Sequence, residues 1–203
     1  MITYIRVEGS TQWVHNSSNG KYTYLTVNRK RGQAGIADNS VITSFTGTAV
    51  LDCWGSYWRF ENISHAVCCA HLLRELIAAS ENNPTHIWAK RLENLLITMK
   101  SAKEKAIEQN KTCLDASHIS SLEREYDDIM AYANIECPSP DNTEPIKRGK
   151  RKKGKERSLI ERLIKLKASV CLFIHNVAVP FDNNQAERDV RNVKTKSNKT
   201  FTN

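Results

Sequence analysis

The sequence predicts an α/β or α+β core with an all-helical insertion ahead of the last core helix. Three features carry this. Over residues 3–68, short runs of β-branched and aromatic residues alternate with turn residues and one helix-like stretch. Helical periodicity then takes over through residue 136. A final helix opens after Pro180 and carries Glu187.

Residues 3–7, 11–15 and 22–27 read as strands, because Thr, Tyr, Ile, Val and Trp dominate each run. The turns between them fall at Glu8-Gly9-Ser10 and through Asn16 to Gly20, so an antiparallel meander is the simplest product. Residues 33–44 are helix-like, although Gly35 weakens the pattern. After a turn at Phe45-Thr46-Gly47, Thr48-Ala49-Val50-Leu51 suits a fully buried strand that ends in Asp52. An acid just beyond such a strand sits where open α/β sheets place their ligands, and it is equally an N-cap for a short turn over residues 53–57. Residues 64–68 read as a further strand.

A helix starts near His71 and is interrupted at Asn82-Asn83-Pro84. Periodic apolar positions return over 86–109 (Ile87, Leu92, Leu95, Leu96, Met99, Ala102) and over 120–132, as expected of paired antiparallel helices. Pro138, Pro140 and Pro145 break regularity before a basic run. One more helix follows from Leu159 to about His175. The expected organisation is a core of residues 1–68 and 178–203, a helical insertion of 69–136, a Pro-rich then basic linker of 137–157, and a helix of 158–177 returning to the core.

The net charge of +8 is concentrated in residues 147–157, where eight Lys or Arg face the single acid Glu156. Lys147, Arg148, Lys150, Arg151, Lys152 and Lys153 suit DNA phosphates, and a solvated linker would have the same composition. Arg29, Lys30 and Arg31 make a second small basic cluster beside a turn. The six cysteines are irregularly spaced and include no C-x-x-C pair, so reduced thiols are expected. No run of about 18 apolar residues and no secretory leader pattern is visible, which predicts a cytoplasmic chain.

Pro180-Phe181-Asp182-Asn183-Asn184 supplies a helix start, so Glu187 rides on the first turns of a rigid element. There a carboxylate can ligate a hard divalent cation, and Arg188 and Arg191 can meet phosphate. The same residues also describe a capped surface helix with an i,i+4 pair between Glu187 and Arg191, worth about 0.2–0.5 kcal/mol.

Taken in order, Thr3-Tyr4-Ile5-Arg6-Val7, Arg29-Lys30-Arg31-Gly32, Leu51-Asp52-Cys53-Trp54-Gly55-Ser56-Tyr57, His65-Ala66-Val67-Cys68-Cys69-Ala70-His71-Leu72-Leu73-Arg74-Glu75-Leu76 and Val179-Pro180-Phe181-Asp182-Asn183-Asn184-Gln185-Ala186-Glu187-Arg188 resemble the transposases of the insertion-sequence-66 family. The resemblance runs over nearly the whole chain, and the last two motifs are its specific ones. It implies a ribonuclease-H-like mixed sheet and an Asp, Asp, Glu triad that holds two Mg²⁺ or Mn²⁺ ions for phosphoryl transfer in DNA. Two cations polarise the scissile phosphate and stabilise attacking and departing oxygens, and carboxylates bind them well. Asp52 matches the second Asp and Glu187 the Glu, 135 residues apart. The implied partners are transposon ends and target DNA, with a homo-oligomer forming on DNA.

At the position of the first Asp the chain carries Met1, and Ile2 stands where the family has Glu. Glu8 is the nearest acid, at the far end of the strand, roughly 20 Å away at ~3.3 Å per residue. The chain starts inside the motif, from which a truncated or decayed reading frame and little strand-transfer activity are expected. Cys68 and His71 form a C-x-x-H pattern; it suits zinc if His65 or Cys53 completes the site, and otherwise a packed His71 among buried cysteines. Arg74 is a phosphate contact or a partner of Glu75, while Trp13, Trp54 and Trp58 are expected in the core or at its rim. The function classes left are a transposase catalytic domain, a non-catalytic DNA-binding remnant of one, and a metal-dependent nuclease or resolvase of the same fold.

Overall fold

A computed structural model describes residues 2–140 and 153–197, with side chains to Arg191. Its element order is mixed α/β, as the sequence predicts, and it divides into two compact units. One comprises residues 1–68 and 182–203, the other 69–181. Residues 178–181 fall in the second of these units.

In the first unit, β1 (Ile2–Val7), β2 (Ser10–Ser18) and β3 (Thr23–Asn28) form the expected antiparallel meander in the order β1-β2-β3. Glu8 and Gly9 both take positive φ, 49° and 77°, which makes the tight two-residue turn that the twist of a hairpin favours. β2 continues to Ser18, three residues beyond the expected end. The turn forms at Asn19 instead, whose Oδ1 accepts the backbone N–H groups of Lys21 and Tyr22.

β4 (Thr48–Leu51) pairs in parallel with β5 (Ser64–Val67), Leu51 opposite Val67. Among the described residues these two strands are not hydrogen-bonded to the meander, so the one mixed sheet implied by the resemblance is present as two sheets. Ile2 nevertheless packs on the cluster of Ile36, Leu51, Tyr57, Phe60 and Ile63. With only one paired edge, β4 is half-buried at Thr48, Ala49 and Val50 and buried only at Leu51, which corrects the expectation of a fully buried strand.

The helix expected over 33–44 is two short helices, α1 (Gln33–Ala37) and α2 (Ser40–Ser44). Asn39 breaks it. Its extended backbone (φ −80°, ψ 93°) caps α2, and its buried amide donates to the Thr26 hydroxyl at 3.5 Å. Gly35 has a steric reason: a Cβ there would lie 1.9 Å from the carbonyl oxygen of Lys30 and 3.0 Å from His15 Nε2.

In the second unit, α3 (Cys69–Asn82), α4 (Trp88–Glu108) and α5 (Ala116–Glu136) pack with α6 (Lys155–Lys165) and α7 (Lys167–His175). The apolar stripe of α4 is buried at Leu92, Leu95, Leu96 and Met99, and α3, α5 and α7 all pack on this helix. The single helix expected to end near His175 is divided at Leu166, which caps both α6 and α7. No Gly or Pro marks the division, so periodicity reads through it.

Two carboxylates hold the start of α4. Glu136 accepts the N–H groups of Ile87 and Trp88, each at 3.0 Å. Glu156 accepts Asn83 Nδ2 at 2.7 Å, Trp88 Nε1 at 2.7 Å and His86 at 2.8 Å. Arg157, only 5% exposed, closes the end of α5 by donating to Asn134 Oδ1 and the Cys137 carbonyl. The last residues of the expected linker are thus structured, and Glu156 and Arg157 are core fastenings.

All six cysteines are unbridged. Burial, and behind it the charge of Glu123, pushes the Cys171 thiol up to about 12. No helix among the described residues is long and apolar enough to cross a membrane.

Gly35→Ala is expected to destabilise the fold by about 1–3 kcal/mol, because the added methyl meets backbone that cannot yield. A urea melt checks this through a lowered midpoint at unchanged slope. Glu156→Ala, which strips the acceptor from three donors, is expected to cost at least ~2 kcal/mol in the same assay, with Glu156→Gln costing less.

Candidate active site

Asp52 follows the last residue of β4, and Cys68 follows the last residue of β5. Since the two strands are parallel, both residues emerge at the same carboxyl edge. Asp52 is half-buried and its Oδ1 accepts the Trp54 N–H at 3.1 Å. The local turn foreseen as an alternative role therefore exists, and it holds the carboxylate in place.

Glu187 lies on the first turn of α8 (Asn184–Ser197). Asp182 Oδ1 accepts the Asn184 N–H at 3.0 Å, and the Glu187 N–H reaches the Asn183 carbonyl at 3.3 Å. The polar residues after Pro180 thus start the helix as their types predict.

A hydrogen-bonded relay joins the two acidic segments. Cys68 N–H donates to the Leu51 carbonyl at 2.8 Å, and Cys68 Sγ accepts the Asn183 N–H at 3.3 Å. Leu51 precedes Asp52, and Asn183 lies one helical turn before Glu187. The completely buried Cys68 is thus a spacer between strand end and helix start. Its sulfur is a weak acceptor, but here it meets a backbone donor at a helix N-terminus.

α8 is held to the meander at two further points. Asn16 Nδ2 donates to the Ala186 carbonyl at 2.9 Å, and the Thr23 hydroxyl donates to Asp189 Oδ2 at 2.8 Å. Asn16 follows His15, which pairs with Ile2. The start of β1, the end of β4 and the first turn of α8 are therefore linked through named bonds. Met1 lies outside the described residues. Glu8 is in the hairpin turn, at the opposite end of β1 from Ile2.

Arg31 is the member of the first basic cluster with a defined setting. Its guanidinium lies 4.9 Å from the Trp13 ring centroid and 4.7 Å from that of Trp54. Each such contact contributes about 0.5–1 kcal/mol at an exposed site. Trp54 also meets Tyr57 edge-on, at 5.7 Å. Burial raises the Tyr57 phenol far above its ordinary pKa, the charge of Asp52 raises it further, and Arg31 opposes both. Arg29 and Lys30 are exposed, and the Lys30 carbonyl bonds His15 Nε2 at 3.2 Å.

The remaining basic candidates are scattered. Arg188 is exposed and donates to Gln185 Oε1 at 3.0 Å, Arg191 is exposed on α8, and Arg74 is exposed on α3. Glu75 pairs with Arg162, while Asp189 serves Thr23 and Gln185. Lys153 pairs with Glu161 at 2.8 Å. Lys147, Arg148, Lys150, Arg151 and Lys152 lie outside the described residues.

His65, one candidate to complete a zinc site, bonds the Tyr57 carbonyl at 3.0 Å and stacks on Trp58 at 4.8 Å. Among the described residues no group of three or more His, Cys, Asp and Glu side chains is arranged to hold a metal ion.

Sequence reasoning misses Asn16, which sits in a stretch of Asn and Ser that resembles a turn, and it reads Cys68 as a zinc ligand or a buried thiol without foreseeing its bond to Asn183. The one available signal for Asn16 is its placement directly after a strand whose apolar alternation has no terminator until Asn19-Gly20.

The first unit thus has an acid at the carboxyl edge of a parallel strand pair and a second acid on the helix fastened to it. The chain matches the family described as Transposase IS66 family over residues 2–202, and it belongs to that family. No curated protein and no solved structure matches it. The family makes this a transposase domain in general terms, with DNA as the implied partner.

His15 reports on the integrity of this unit. It is 3% exposed, and its Nδ1 is buried without a hydrogen-bond partner among the described residues. Burial holds its pKa below 6.5. The unfolded chain then binds more protons, so this contribution to stability is complete above pH 6.5 and lessens as pH falls below it. The fall in thermal midpoint between about pH 7 and pH 5 should be smaller in His15→Gln than in the wild type.

Proposed function

We propose that the chain is the catalytic domain of a DNA transposase with a ribonuclease-H-like core, in which Asp52 and Glu187 match two of the family's three active-site carboxylates. Position 1, where the family resemblance puts the third, carries Met. The observation that supports this reading most directly is the relay through Leu51, Cys68 and Asn183, because it ties the strand end bearing Asp52 to the helix turn bearing Glu187. Its weight comes from a family match that spans both residues.

Two carboxylates suit one hard divalent cation, Mg²⁺ or Mn²⁺, completed by water. They do not suit a two-cation site, since no third side chain of the right type is grouped with any such pair among the described residues. A bound cation would supply Lewis-acid stabilisation to a phosphoryl oxygen. The chain's own part is to orient: Trp54 N–H fixes one Asp52 oxygen, and the N-terminal fastening of α8 fixes Glu187. The basic residues at 147–153, together with Arg29, Lys30, Arg74, Arg188 and Arg191, are proposed contacts to DNA phosphates, which position a duplex without reading its sequence. Met1 also favours a second reading, in which the domain binds DNA but performs no strand transfer.

Purified protein is expected to join DNA ends weakly or not at all with Mg²⁺ or Mn²⁺. Met1→Asp behind an added initiator methionine should raise metal-dependent nicking by at least roughly 10–100-fold, the range that loss of even an outer-shell partner of a metal site costs. Glu187→Gln in that background should remove the gain. Efficient joining by the wild type, or a gain indifferent to Glu187, would contradict the assignment.

A further inference from the structure

We infer that Trp13, Arg31 and Trp54 form a preorganised clamp in which Arg31 binds a backbone phosphate of the DNA strand handled at Asp52. The inference rests on the transposase reading and names how that same site takes its substrate.

The geometry gives three reasons. First, the Arg31 guanidinium carbon lies over two indole rings at once, 4.9 Å from the Trp13 centroid and 4.7 Å from that of Trp54. Two ring contacts hold the guanidinium in place without using its N–H donors, and a phosphate fits that planar fork in a bidentate manner. Arg31 is exposed, and no hydrogen bond or ion pair to a described residue uses that fork.

Second, the clamp is built into the fold. Trp13 lies on β2, meets Tyr4 edge-on at 6.0 Å and pairs in register with Tyr4 and Asn28. Asn28 Oδ1 accepts the Lys30 N–H at 2.7 Å, which holds the turn leading to Arg31. A basic residue merely solvated on a loop needs none of this.

Third, Trp54 belongs to both the clamp and the candidate site, since its backbone N–H donates to Asp52 Oδ1. One residue thus touches Arg31 through its ring and Asp52 through its backbone. Arg29 and Lys30, exposed alongside, extend the positive surface along a strand.

The test is fluorescence anisotropy of a labelled 30-base-pair duplex of arbitrary sequence, titrated with the full chain across about 50–200 mM salt. Arg31→Ala is expected to weaken Kd roughly tenfold at the low-salt end and to reduce the slope of log K against log salt by about 0.9, one phosphate's worth. Arg31→Lys keeps the charge and loses the stacked fork, so it should weaken binding while retaining the slope. Trp54→Leu should do the same.

Arg31→Ala with unchanged affinity and slope would overturn the clamp and leave the transposase reading intact. So would Arg31→Lys or Trp54→Leu binding as tightly as the wild type, since any surface cation would then serve. A wild-type chain that does not bind DNA would overturn the DNA reading itself, and the clamp with it.

Discussion

The position of the two candidate carboxylates depends on Cys68. Its N–H continues the β4–β5 ladder one step past Val67, and its sulfur accepts from the backbone where α8 begins. A thiol is a weak acceptor, so this contact alone contributes little. It gains authority from complete burial and from the further fastenings of α8 at Ala186 and Asp189. Two segments 135 residues apart in sequence thus become neighbours through short bonds, each made by a residue with no chemistry of its own.

The helical unit follows a different economy. Its ends are held by ionised side chains: Glu136 and Glu156 at the start of α4, and Arg157 at the end of α5. Charged partners make stronger hydrogen bonds than neutral ones, and a buried one is costly to remove. The basic run therefore has two parts. Arg157 is committed to the fold and Lys153 is paired with Glu161, while the residues before them keep the composition of a phosphate-binding segment.

Much of this was legible in the sequence. The meander followed from β-branched runs and Glu8-Gly9, the helices of 88–136 from their apolar stripe, and the start of α8 from Pro180 and Asp182. Asp52 stood out because an acid just beyond an apolar strand sits where open α/β sheets place their ligands, and its turn-forming role was equally visible. What stayed hidden was tertiary. Asn39 splits a helix because its amide reaches Thr26, and Leu166 splits another with no breaker residue to announce it. Cys68 read as either a metal ligand or a buried thiol, and its use as a spacer depends on a partner 115 positions away. The contact of Arg31 with both Trp13 and Trp54 joins three segments, and no local pattern encodes it.

The central claim is that Asp52 and Glu187 act as one site. Titration of the protein with Mn²⁺, followed by the electron paramagnetic resonance signal of the unbound ion, tests it without requiring turnover. The account predicts one weak site that is lost in Asp52→Asn and equally in Glu187→Gln. Binding that survives either substitution, or that depends on only one of the two residues, would contradict it.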